Sequence, residues 1–158
     1  MHVAVVGPGD GGAAAPRDLD AAEEVGRLLG EAGAVLVCGG LGGVMEAACR
    51  GARSAGGLTV GILPGRDRRD ANRFVEVALP TGLGEARNAL VVRSADAVVA
   101  VGGAYGTLSE IAFALKGGTP VVGLGTWELA RGGEADAGIV RAASAEEAAR
   151  TALDLARK

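Results

Sequence analysis

Apolar positions in this chain gather into six short runs, most of them unbroken: HVAVVG (2–7), AVLVCG (34–39), LTVGIL (58–63), FVEVAL (74–79), AVVAVG (97–102) and PVVGLG (120–125). Continuous apolar strands are those buried on both faces, as in a parallel sheet covered on each side. Between them the apolar residues recur at helical spacing, which predicts helices near 17–32, 43–56, 84–94, 107–117 and 145–157. Strands alternating with helices predict an α/β fold, a single Rossmann-like doubly wound domain over 1–158. Its sheet is expected to be mostly parallel, of about six or seven strands, with helices on both faces and right-handed crossovers. The last helix opens with a Ser-x-x-Glu capping box, Ser144 and Glu147. The stretch GTWELARGGEADAGIV before it has little periodicity and is predicted to be a surface loop with a short strand at its end.

Composition adds that 49% of residues are apolar but only 3% aromatic, so the core is to be built from Ala, Val, Leu and Ile. A net charge of −3 leaves no electrostatic footprint for nucleic acid. No apolar run approaches the roughly 18 residues of a membrane span. The N-terminus enters a strand without a basic leader, which predicts a cytoplasmic protein. Cys38 and Cys49 lack metal-ligand spacing and are expected to be small buried hydrophobes, and the lone His2 makes no metal site. No metal ligands are predicted anywhere. The segment PGRDRRDANRF (64–74) carries four arginines and is either a solvated connection or a lid offering positive charge to an anion.

In an open parallel sheet, ligands lie beyond the carboxyl ends of the strands. Three of the turns there are rich in glycine: GPGDGGAAAP after the first strand, from Gly7; GGLGG, with Gly39, Gly40, Gly42 and Gly43, leading to Met45; and GGAYGT, with Gly102, Gly103, Tyr105, Gly106 and Thr107. Glycine lets the backbone approach a ligand, and the free first-turn amides of the following helix favour an anion, a phosphate above all. Neither the G-x-G-x-x-G dinucleotide pattern nor a P-loop ending is present.

Glu110 has two readings. Thr107 and Glu110 stand three apart at a predicted helix start, which is capping-box spacing. Alternatively Glu110 belongs to the anion site. Arg87, next to Asn88, falls in a predicted helix first turn, where a cation is disfavoured by about 0.3–1 kcal/mol. Its compensation comes from Glu85, from Glu110 or from a bound anion. Tyr105 either stacks on a ligand ring or fills the turn.

CGGLGGVMEAACRGA, GGLTVGILPG and GLGEARNALVVRSADAVVAVGGAYGTLSEIAFALKGGTPVVG resemble the molybdenum cofactor carrier proteins, a group related to the "lonely guy" (LOG) cytokinin-activating phosphoribohydrolases. The resemblance covers residues 1 to about 125. The phosphoribohydrolases carry P-G-G-x-G-T-x-x-E, whose first glycine falls on Gly103 and whose G-T-x-x-E falls on Gly106, Thr107 and Glu110; their proline and second glycine fall on Gly102 and Ala104. Their catalytic arginine, nine before the Asp of a Ser-Asp-Ala segment, falls on Arg87. GGLGGVMEA is one residue shorter than their G-G-G-x-x-G-L-M-G and has Glu46 after Met45, a departure shared with the carriers.

The resemblance therefore implies a binding or carrier protein for a phosphorylated heterocycle, either a nucleotide or the molybdenum cofactor (molybdopterin) as cargo. The alternative is a phosphoribohydrolase that cleaves a nucleoside 5'-monophosphate with Arg87 and Glu110 as catalytic residues. A third class is an interaction domain with no ligand. The resemblance also implies a homodimer or higher homo-oligomer. Relatives mislabelled as lysine decarboxylases are no guide, because pyridoxal phosphate needs a Schiff-base lysine and only Lys116 and Lys158 exist.

Overall fold

A computed structural model describes residues 1–11 and 14–157. Seven strands form one parallel sheet: β1 (His2–Val6), β2 (Val35–Cys38), β3 (Thr59–Leu63), β4 (Val77–Pro80), β5 (Ala97–Val101), β6 (Val121–Leu124) and β9 (Ile139–Arg141). Their order across the sheet is β4-β3-β2-β1-β5-β6-β9. The chain builds outward from β1 to β4, returns to lay β5 against the other side of β1, and builds outward again. The switch point thus falls between β1 and β5, where crossovers leave on opposite faces and their loops part to open a cleft.

The two-residue period of β1 explains the layering. Val3 and Val5 face α1 (Pro16–Glu31), α2 (Val44–Ser54) and α5 (Ala145–Leu155), packing with Val25, Leu29, Ala48, Cys49 and Ala149. Ala4 and Val6 face α3 (Asn88–Arg93) and α4 (Tyr105–Gly117), packing with Val91, Val92 and Ile111. Both faces of inner strands such as β1 and β5 are buried, which is why these read as apolar runs. The expected α/β doubly wound fold is the one observed. No helix among the described residues is long and apolar enough to cross a membrane.

Three local expectations are revised. The stretch before α5 holds not only the short terminal strand, β9, but an antiparallel hairpin, β7 (Leu129–Arg131) with β8 (Glu134–Asp136). The predicted 84–94 helix is a 3₁₀ turn, Gly84–Arg87, followed by α3. Helix α4 starts at Tyr105, earlier than expected, so Glu110 lies in its second turn and is not its capping residue; instead the Thr107 hydroxyl accepts the Ala104 N–H at 3.4 Å. The Ser144 cap on α5 is as read, its Oγ accepting the Glu147 N–H at 3.2 Å, whereas Glu147 returns to the N–H of Ala143, one residue before the cap, at 2.8 Å.

Candidate functional site

A cavity of about 350 Å³ opens at the switch point, large enough for a small ligand. The loop after β1 supplies Gly7, Pro8 and Gly9; Leu41 and Met45 come from the turn after β2 and the start of α2; Pro64 follows β3. Glu85, Arg87 and Asn88 form one wall, and Ala104, Gly106, Thr107 and Glu110 of the α4 start form another. Gly7, Met45, Arg87, Asn88, Gly106, Thr107 and Glu110 are thus brought together as the sequence reading grouped them.

Arg87 is the centre of this site. It ends the 3₁₀ turn, is 6% exposed, and lays its guanidinium on the backbone of Gly39 at the end of β2. A Cβ at Gly39 would sit 2.6 Å from Arg87 Nη2 and 2.7 Å from Cζ, so only glycine leaves room for the cation there. Its carboxylate partner is Glu110 rather than its sequence neighbour Glu85: Arg87 Nη1 lies 3.8 Å from Glu110 Oε1. That separation is too long for a hydrogen bond. Arg87 Nε is buried and has no hydrogen-bond partner among the described residues. A buried polar group without a partner costs about 1–3 kcal/mol, more when charged, so the arrangement favours an anion that supplies one.

Burial pushes the Glu110 carboxyl up to about 7, against the pull of the Arg87 charge. Loss of solvation outweighs an attraction that acts across 3.8 Å without a hydrogen bond. Burial likewise lowers the guanidinium's value, with Glu110 acting in the other direction. A guanidinium nonetheless stays charged at any neutral pH. The upward shift of Glu110 weakens its hold on the Arg87 charge, which stays available to a ligand.

On the facing wall, α4 makes its first helical bond from the Leu108 N–H to the Ala104 carbonyl at 3.0 Å. The amides of Tyr105, Gly106 and Thr107 precede that bond and have no intrahelical acceptor, so they suit an anion. The α2 end differs from expectation. Val44 N–H donates to the Pro8 carbonyl at 3.0 Å, and the Asp10 carboxylate packs directly on Gly42. The β2 turn is therefore tied to the β1 loop, and its glycines act behind the cavity. Gly40, Gly43 and Gly102 hold φ of +78°, +66° and +62°, which shape the turns. Gly103 packs on the indole nitrogen of Trp127.

Tyr105 is 82% exposed and tilts against Trp127, ring centroids 5.7 Å apart; it neither fills the turn nor lines the cavity. In the arginine-rich segment, Arg69 pairs with Asp67, and Arg73 stacks on Phe74, 4.8 Å from its centroid. Asn72 Nδ2 donates to the Leu41 carbonyl at 2.8 Å, pinning the segment to the β2 turn. None of its arginines lines the cavity. Pro8, Gly9, Leu41, Pro64, Glu85 and Ala104 were not singled out as ligand contacts. Pro64 carried a usable signal, since it stands just past the carboxyl end of a strand. Among the described residues no group of three or more His, Cys, Asp or Glu converges to hold a metal ion.

Known proteins are similar to this chain in sequence and in fold. The model of the SLOG cluster4 family matches residues 1–150. An uncharacterized protein of Archaeoglobus fulgidus is 48% identical over 124 residues, covering 78% of this chain and 80% of that protein. The molybdenum cofactor binding protein of Rippkaea orientalis superposes with a TM-score of 0.86 at 37% identity, covering 98% of this chain and 96% of that one. The molybdenum cofactor carrier protein of Chlamydomonas reinhardtii superposes with a TM-score of 0.85 at 35% identity, covering 99% and 98%. The family match runs through all three glycine turns and both walls of the cavity, and the chain belongs to the SLOG cluster4 family.

Proposed function

We infer that this protein binds a phosphorylated heterocycle at the β1–β5 switch point, and that its ligand is the molybdenum cofactor, held as cargo by a one-domain carrier of residues 1–158. One observation carries the reading: a buried Arg87, its Nε without a partner, borders a cavity opposite the free first-turn amides of α4. Arg87 and those amides would take the phosphate, with Gly106 allowing close approach and the Thr107 hydroxyl beside it. Pro8, Leu41, Met45 and Pro64 would cover the ring. The likeness to the two superposed structures, a molybdenum cofactor binding protein and a molybdenum cofactor carrier protein, supports a pterin among phosphorylated rings. The proposal places the protein in the cytoplasm, where the buried thiols of Cys38 and Cys49 stay reduced, and as a homodimer or higher homo-oligomer.

The test is to express the chain in a host that makes the cofactor, purify it, oxidise any bound pterin and measure its fluorescence. Wild-type protein should carry pterin, and Arg87→Ala should carry little. Equal loading of the two would end this reading.

The Arg87–Glu110 pair favours a second reading, N-glycosidic hydrolysis of a nucleoside 5'-monophosphate. Departure of the base leaves positive charge on the ribose, which an ionised Glu110 would stabilise while helping to activate water. Incubation with AMP and cytokinin ribotides decides it. Release of free base that Glu110→Gln abolishes establishes the hydrolase; phosphate-dependent binding without release leaves the carrier.

A further inference from the structure

Glu85 is a puzzle for an anion site. It is exposed, lines the same cavity as Arg87 from two residues away, and is not the carboxylate that partners the guanidinium. A carboxylate there repels a phosphate, so something else in the ligand has to use it. Asn88, on the same wall, is oriented by its neighbours: its Nδ2 donates to Ser109 Oγ at 3.2 Å, and Ser109 Oγ donates to the Gly106 carbonyl at 2.7 Å. That leaves the Asn88 side-chain carbonyl as an acceptor. The cavity therefore has acceptors from the 85–88 wall and donors from α4 and Arg87. Apolar flanks come from Leu41, Met45 and Pro64, which suit a flat ring.

We propose that Glu85, assisted by Asn88, selects the ring of the ligand: the site takes a phosphorylated heterocycle with a 2-amino-4-oxopyrimidine edge, the edge shared by guanine and pterin. Such an edge presents a ring N–H beside an exocyclic amino group, two parallel donors that one carboxylate accepts together. A ring lacking the amino group leaves one carboxylate oxygen unmatched, and adenine turns an acceptor toward it. This rests on the phosphate-site reading and adds to it the identity of the ring edge.

Calorimetric titration of the full chain with two matched pairs tests the proposal: GMP against IMP, and 6-hydroxymethylpterin monophosphate against its 2-oxo lumazine counterpart. In at least one pair the amino-bearing ligand should bind about tenfold more tightly, as expected for a hydrogen bond to a charged acceptor. Glu85→Gln should erase that preference, weakening the amino-bearing member more than its partner, because both share the ring N–H that loses a charged acceptor and only one also loses the contact to the amino group. The pair that shows the preference distinguishes a purine site from a pterin site. Equal binding within both pairs, or a preference that survives Glu85→Gln, overturns the proposal but leaves the phosphate site standing. Absence of binding by all four ligands, with inorganic phosphate also failing to bind, removes both. Glu85 is exposed, so its variant should melt like the wild type.

Discussion

The guanidinium of Arg87 rests on the α-carbon of Gly39, a contact between the turn after β2 and the wall that precedes α3. Gly39→Ala should therefore displace the cation rather than strain the backbone. Affinity for phosphate should fall on the order of tenfold or more, since a charge-assisted bond is lost. Far-UV circular dichroism should be unchanged. Wild-type affinity in this variant would show that Arg87 does not meet the ligand.

Glu110 predicts a pH-dependent stability. Its folded value, about 7, lies above the ordinary 4.5. Between those values the folded chain holds a proton that the unfolded chain has released, so stability falls as pH rises through that window. The contribution is fully present below the ordinary value and is lost as pH passes 7. Urea unfolding at pH 5 and pH 8 should differ by on the order of 2–3 kcal/mol more in wild type than in Glu110→Gln. A variant with the same pH slope as the wild type would mean that Glu110 titrates normally.

The buried thiols supply a third expectation. Cys38 Sγ, at the end of β2, and Cys49 Sγ, in α2, lie 3.5 Å apart, and both side chains are buried without any exposure. A thiol reagent reaches only exposed thiolate. Neither cysteine should react with an aromatic disulfide reagent in the native protein, and both should react once it is unfolded. Prompt labelling of either under native conditions would contradict the packing of α2 on the sheet.

What could be read in advance follows from how far each feature depends on long-range order. The strands of the parallel sheet were legible because burial on both faces makes a run such as Ala97–Val101 wholly apolar. The switch-point glycine turns were legible because they sit at strand ends. The start of α4 was misplaced because Thr107 and Glu110 have capping-box spacing, whereas the hydroxyl of Thr107 itself reaches back to Ala104. Glu85 reaches the cavity although it follows β4, three places from β1 in the sheet, which spacing along the chain does not encode. The pairing of Arg87 with Glu110 was one of three options until the sheet order put their loops together. The upward shift of Glu110 comes from burial acting against the nearby Arg87, and burial is not encoded in the spacing. The β7–β8 hairpin escaped notice because each strand has three residues and little apolar alternation.

That hairpin segment carries the last prediction. Trp127, the only tryptophan, donates its indole N–H to the Ala104 carbonyl at 3.2 Å and stacks on Tyr105, so it braces the first turn of α4 from outside the cavity. Its emission should therefore change when a phosphorylated ligand engages the amides of that turn, and should not change in Arg87→Ala. Trp127→Phe keeps a ring against Tyr105 but removes the hydrogen bond. The Ala104 carbonyl still accepts the Leu108 N–H, so no orphaned group is left and the cost should stay near 1 kcal/mol. Affinity should then fall by about fivefold if all of that cost is felt in the bound state. Unchanged affinity in Trp127→Phe, with lowered thermal stability alone, would confine Trp127 to holding the fold and detach it from the anion site.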